Sequence, residues 1–180
     1  MKAAVVYESM FGNTRKVAEA IGEALSPYMD TTVRNVAASE DVDLTDLDLL
    51  VIGGPTHAWG MSRPSTRKAA AEQAADPKRS LTLEPGASGL GLREWLAALN
   101  LEGAKVAAFD TRMAMPVAFT GSAARAIAKA LHRRGADFVS SRQSFLVTKR
   151  NELVAGQLEL ARNWGEELAE TVSRTGVYVR

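Results

Sequence analysis

"ESMFGNTRKVAEA", residues 8–20, joins two different patterns. Ahead of it, "AAVVYE" (3–8) is a short run rich in β-branched residues and reads as a strand. Behind it, Val17, Ile21, Ala24, Leu25 and Tyr28 recur at helical spacing, so a helix is expected from Thr14. The connection therefore delivers a loop to the N-terminus of a helix. Unpaired amide hydrogens and the positive end of the helix dipole meet there, which suits a phosphate. Gly12 lets backbone approach a ligand closely, Ser9 and Thr14 offer hydroxyls, and Asn13 offers an amide. The loop has no lysine, so it is not a nucleoside-triphosphate P-loop. Taken alone, it fits a capped helix behind a tight turn as well as it fits a phosphate site.

The same alternation continues outward. "TTVRNVA" (31–37) alternates like a half-buried strand, and "LDLLVIGG" (47–54) is the continuous apolar run of a central parallel strand. A helix capped by Ser62 or Ser65 is expected to run to about Asp76, followed by a loop over 77–91. Leu92, Trp95, Leu96 and Leu99 mark a short amphipathic helix, and "AKVAAFD" (104–110) a fourth strand. Ser122 caps a helix that stops at His132-Arg133-Arg134-Gly135. "DFVSSRQSFLV" (137–147) is the fifth strand, and Leu153, Leu158, Ala161, Trp164, Leu168 and Val172 mark a final helix. Strands separated by helical crossovers imply one α/β domain over 1–180 with a parallel sheet and helices on both faces. Ligands of such sheets bind outside the carboxyl ends of the strands, which points to the loops after strands one, three and four.

Composition narrows the chemistry. The chain has 180 residues and no cysteine, which removes thiolate metal sites and cysteine nucleophiles. Its two histidines, His57 and His132, are far apart, so no metal site is expected. A net charge of +1 gives no general attraction to nucleic acid. No apolar run approaches a membrane span, and no leader pattern is visible, so a cytoplasmic protein is expected.

The loop after strand three reads "GGPTHAWGMSRP" (53–64). Gly53-Gly54-Pro55-Thr56 ends the buried strand and starts a rigid turn, and His57, a hydrogen-bond donor in that turn, and Ala58 lead to Trp59 with Gly60 beside it. A large aromatic in a loop of small residues suits stacking on a planar ligand. Ser9-x-x-Gly12-Asn13-Thr14 and Trp59-Gly60 together resemble the flavodoxin family over nearly the whole chain. The resemblance implies a flavodoxin-like, doubly wound, five-stranded parallel sheet in the order 2-1-3-4-5 that binds FMN without a covalent link. It implies that residues 9–14, Met10 and Phe11 included, surround the phosphate and ribityl chain, and that Trp59 lies by the flavin ring. In the loop after strand four, Asp110, Thr111 and Arg112 stand where contacts to the ring edge come from, and Phe119 offers a second aromatic; each of the four fits ordinary loop or core equally well. The chain departs from the family pattern at Phe11, which replaces a small hydroxyl residue. It departs again at Met61-Ser62-Arg63, where acidic residues often follow the tryptophan-glycine pair.

Competing readings of the topology fail on single residues. A receiver domain needs an aspartate at the end of strand three, where this chain has Gly53-Gly54. "GASGLG" (86–91) follows no strand, so it is not a dinucleotide fingerprint. The implied function is electron transfer between redox partner proteins, a flavin- or nicotinamide-dependent reductase and an acceptor. The alternatives are an FMN-dependent nicotinamide-linked quinone or nitro reductase, and a module that has lost FMN and binds something else. The chemistry would be the cofactor's, so no catalytic acid or base is assigned.

Overall fold

The computed structural model describes residues 1–38, 44 and 46–177. Strand β1 (Lys2–Tyr7) is followed by helix α1 (Asn13–Leu25), β2 (Asp30–Asn35), a 3-10 turn, β3 (Leu49–Pro55) and α2 (Pro64–Ala74). Then come α3 (Leu92–Ala98), β4 (Lys105–Met113), the single turn α4 (Val117–Thr120) and α5 (Ala123–His132). Two short strands, β5 (Asp137–Phe138) and β6 (Gln143–Val147), precede α6 (Gln157–Val177).

All pairings between these strands are parallel, in the order β2-β1-β3-β4-β5, with β6 also on β4. The expected order is therefore present, with the fifth strand in two pieces. Asp137 and Phe138 pair with Lys105 and Val106, and Gln143–Val147 pair with Phe109–Met113, leaving 139–142 between them. This is why the sheet has six strands among the described residues rather than five.

Strand alternation builds a core on each face. Ala3, Val5 and Tyr7 of β1 join Val17, Ile21 and Leu25 of α1 and Trp164 and Leu168 of α6. Ala4 and Val6 join Leu50 and Ile52 of β3 with Trp95, Ile127 and Leu131 of α3 and α5. Phe109, Phe145 and Trp164 meet edge to face, with centroids 5.9–6.3 Å apart. A Cβ on Gly165 would lie 2.8 Å from the Ala24 Cβ and 3.0 Å from the Ile21 oxygen. Only a glycine lets α6 lie this close to α1.

Three local readings change. Tyr28 lies beyond the end of α1 and is half exposed, so it belongs to the turn into β2 rather than the helix face. The cap of α2 is Arg63, whose amide donates to the Thr66 hydroxyl at 2.9 Å. Ser62 is instead buried, its hydroxyl accepting from Arg67. Leu153 precedes α6 and bridges to Val147. The loop over 77–91 is fastened across the first loop, with the Glu84 amide donating to the Met10 oxygen at 2.8 Å.

Candidate functional site

The carboxyl ends of β1, β3, β4 and β6 open into a cavity of about 460 Å³. That size suits a cofactor-sized ligand. Ser9, Met10, Phe11, Asn13 and Thr14 contribute from the first loop, and Pro55, Thr56 and His57 from the loop after β3. Thr111 and Arg112 contribute from the end of β4. These ten of the sixteen residues selected from the sequence share one space.

The hydroxyls are organised by the backbone around them. Gly12 caps α1 in the left-handed region (φ 91°) and leaves the capping role unfilled by any side chain. Its amide donates to Ser9 Oγ at 3.1 Å, so the Ser9 hydroxyl keeps its own proton to donate. Thr14 Oγ1 and Thr111 Oγ1 are 2.7 Å apart, and one donates to the other. The pair therefore keeps one proton for a ligand. Asn13 differs from expectation. Its Nδ2 donates to both the backbone and side-chain oxygens of Asn151 at 2.9 and 3.0 Å, which ties the loop after β6 to α1. Met10 is also mainly structural, being 2% exposed against Ala70 and Ala87, with Phe11 packed on the same cluster.

The remaining six residues lie outside that cavity. His57 to Gly60 is a tight turn: the His57 amide donates to the Gly60 oxygen at 2.8 Å and the Gly60 amide to the His57 oxygen at 3.0 Å. Ala58 (φ 43°) and Trp59 (φ 70°) both occupy the left-handed region, the geometry of a two-residue hairpin turn. Neither is a glycine, so each costs about 1–2 kcal/mol. The turn holds Trp59 out at 67% exposed. Its backbone rests on Gly121, where an added Cβ would meet the Trp59 Cα at 2.3 Å. Phe119, on the turn that Gly121 ends, is 70% exposed. Two exposed aromatics thus stand on two touching loops.

Asp110 falls on the core side of its two readings. It is fully buried and does not reach a ligand surface. Its Oδ2 accepts from the Ser122 hydroxyl at 2.6 Å, the Ala124 amide at 2.9 Å and the Thr56 hydroxyl at 3.1 Å. The Thr56 hydroxyl in turn accepts from the Ala123 amide at 2.8 Å. Asp110 fastens the first turn of α5 to the loop after β3, a positioning role that favourable charge at a helix N-terminus explains.

Glu8, just past the end of β1, anchors a buried polar cluster. It is 3% exposed, and its Oε2 accepts from the Leu92 amide at 2.9 Å. Burial pushes its carboxyl above the usual carboxylate range, against the lowering influence of Ser62, Leu92 and Arg67. Arg67 donates to Ser62 Oγ at 3.1 Å and to Glu94 Oε2 at 3.2 Å. His57 is lowered by burial and by Arg67, and so is neutral near pH 7. The legible signal was a charged residue ending an otherwise apolar strand.

Arg79, Lys149 and Arg150 join Arg112 on the cavity wall, and no carboxylate lines it. Arg112 Nη1 donates to the Met115 oxygen at 2.8 Å, and its Nε is buried with no partner among the described residues. The cavity therefore fits an anionic group. Arg63, by contrast, is exposed and outside the lining.

A model of the flavodoxin family matches residues 5–164. No curated relative matches the sequence. The fold is similar to that of a flavodoxin from the domain Archaea, with 23% identity and a TM-score of 0.61 over 96% of this chain and 99% of that one. Oxidised flavodoxin 1 from Bacillus cereus is similar at 18% identity and TM-score 0.62, over 94% and 98%. A WrbA-like flavodoxin from Agrobacterium tumefaciens is similar at 18% and 0.57, over 96% and 98%.

Proposed function

Because the chain belongs to the flavodoxin family, whose members bind FMN, we propose that it holds FMN at the carboxyl end of its sheet and carries electrons between redox partner proteins. The observation that carries this reading is the convergence of Ser9, Thr14 and Thr111 on a 460 Å³ cavity at the N-terminus of α1. FMN supplies the one- and two-electron chemistry, and the chain supplies binding and electrostatics. The Ser9 hydroxyl, the Thr14–Thr111 pair and the first-turn amides of α1 are the donors for the phosphate. Arg112 adds a cation at the same wall. Trp59 and Phe119 give the ring two apolar surfaces, held in place by the Gly121 contact and by Asp110 beneath α5. The neutral His57 turn keeps that side free of charge.

The cationic wall favours a second reading, in which an anionic nicotinamide donor reduces the cofactor directly. Absorbance of the purified protein before and after adding FMN tests the main reading. Flavin bands that shift on binding, with riboflavin binding far more weakly, are expected. A chain that takes up neither flavin is a binding module. Oxidation of a nicotinamide donor with no reductase present would favour the second reading.

A further inference from the structure

A second concavity, of about 500 Å³, runs along the sheet edge between α5 and the segment that divides β5 from β6. It shares no lining residue with the first. Arg125, Lys129 and His132 lie at i, i+4 and i+7 on one face of α5, and Arg142 faces them from the 139–142 segment. No carboxylate lines the groove, and none of the ion pairs among the described residues engages these cations. In a chain of net charge +1, three cations gathered at one groove make a local positive patch that attracts an anion. The groove also has an aromatic wall, Phe138, which is 36% exposed although it sits on a strand. Beside it stand Ser140 and Ser141. The Ser140 hydroxyl is occupied, accepting from Trp164 Nε1 and donating to the Ser141 oxygen, both at 3.3 Å. The Ser141 hydroxyl has no such engagement among the described residues.

We propose that this edge groove is a second ligand site, for a nucleoside diphosphate. Arg125, Lys129 and Arg142 take the phosphates as charge-assisted donors. Phe138 takes the face of the base, a contact that tolerates any base because every base has a π-face. An acidic protein surface would need only the cations. The partly exposed ring and the Ser141 hydroxyl beside the cations suit a small molecule that is aromatic at one end and anionic at the other.

The test is calorimetric titration of FMN-saturated protein with adenosine 5′-diphosphate, pyrophosphate and adenosine. The diphosphate nucleotide is expected to bind at least ten-fold tighter than either fragment. The double variant Lys129→Glu, Arg142→Glu should weaken it ten-fold or more, and Phe138→Ala several-fold, with FMN affinity unchanged in both. These side chains are exposed, and a far-ultraviolet dichroism spectrum checks that each variant folds. Absence of binding at millimolar nucleotide, or binding unmoved by the charge reversal, would overturn the site. Pyrophosphate as tight as the nucleotide, with Phe138→Ala silent, would overturn the nucleotide assignment. Binding of polyglutamate with the nucleotide silent would give the groove to an acidic protein instead.

Discussion

The first loop and the paired turns at Trp59 and Phe119 handle polarity in opposite ways. Around the first loop, Ser9, Asn13, Thr14 and Thr111 are all nearly buried, and each makes a hydrogen bond of 3.1 Å or less. Their geometry is fixed before any ligand arrives. At the paired turns the backbone is locked, but the two largest side chains stand in water at 67% and 70% exposed. The difference fits the roles proposed for the two regions. A phosphate needs directed donors, and directed donors must be preorganised. A flat ring needs apolar area, and area left exposed becomes a driving force on binding.

The largest effect that tests this contrast is expected at Gly121. Its φ of 70° with ψ −165° is a conformation almost restricted to glycine, and a Cβ would meet the Trp59 backbone at 2.3 Å. Gly121→Ala should cost about 2–4 kcal/mol in urea unfolding, from overpacking and backbone strain together. It should loosen FMN and riboflavin alike, because it disturbs only the ring side. Unchanged stability would show that the two turns do not rest on each other.

Thr14→Ala comes next. Removing a hydrogen bond to a charged group costs about 1.5–3 kcal/mol, so FMN should bind roughly ten-fold or more weakly. Riboflavin affinity should stay put, since it lacks the phosphate. Parallel loss of both flavins would erase the division between phosphate and ring regions. Trp59→Ala should cost about 0.5–1.5 kcal/mol of affinity beyond lost area and should brighten bound flavin. If fluorescence and affinity are untouched, Phe119 supplies the aromatic contact.

The smallest effect sharpens the picture beneath the turns. The folded-state pKa of Glu8 is raised above its ordinary value of 4.5. Its stabilising contribution is therefore complete below that value and is lost as pH rises through the folded pKa. Glu8→Gln should match the wild type near pH 4 and gain on it as pH climbs to 7. A wild-type advantage at pH 7 would show that Arg67 depends on the ionised carboxylate.

Much of the frame was legible because periodicity reports burial directly. β3 read as buried on both faces, and it is. The split of the fifth strand was not legible: Val139 to Arg142 continue a plausible strand pattern, and only pairing with β4 reveals the gap. In the site, the hydroxyls of Ser9 and Thr14 were readable because a strand, loop and helix in succession place them. Asp110 stayed open between two readings because a buried helix-fastening carboxylate and a ligand contact look alike at a strand end. Lys149 and Arg150 were invisible because their place depends on Asn13 gripping Asn151 across 138 residues.

The close seating of α6 on α1 at Gly165 has a consequence for how the protein is made. Val17, Ile21 and Leu25 emerge early in synthesis, but the helix that covers them spans Gln157–Val177. At about 5–20 residues per second, the wait is roughly 8–30 s. Through that interval the part of α1 that α6 covers stays open, although β1 and β3 are already made, beside the loop proposed to hold the phosphate. Long-range contacts of this kind fold slowly. Docking of α6 on α1 is therefore the late, long-range step that closes this half of the core.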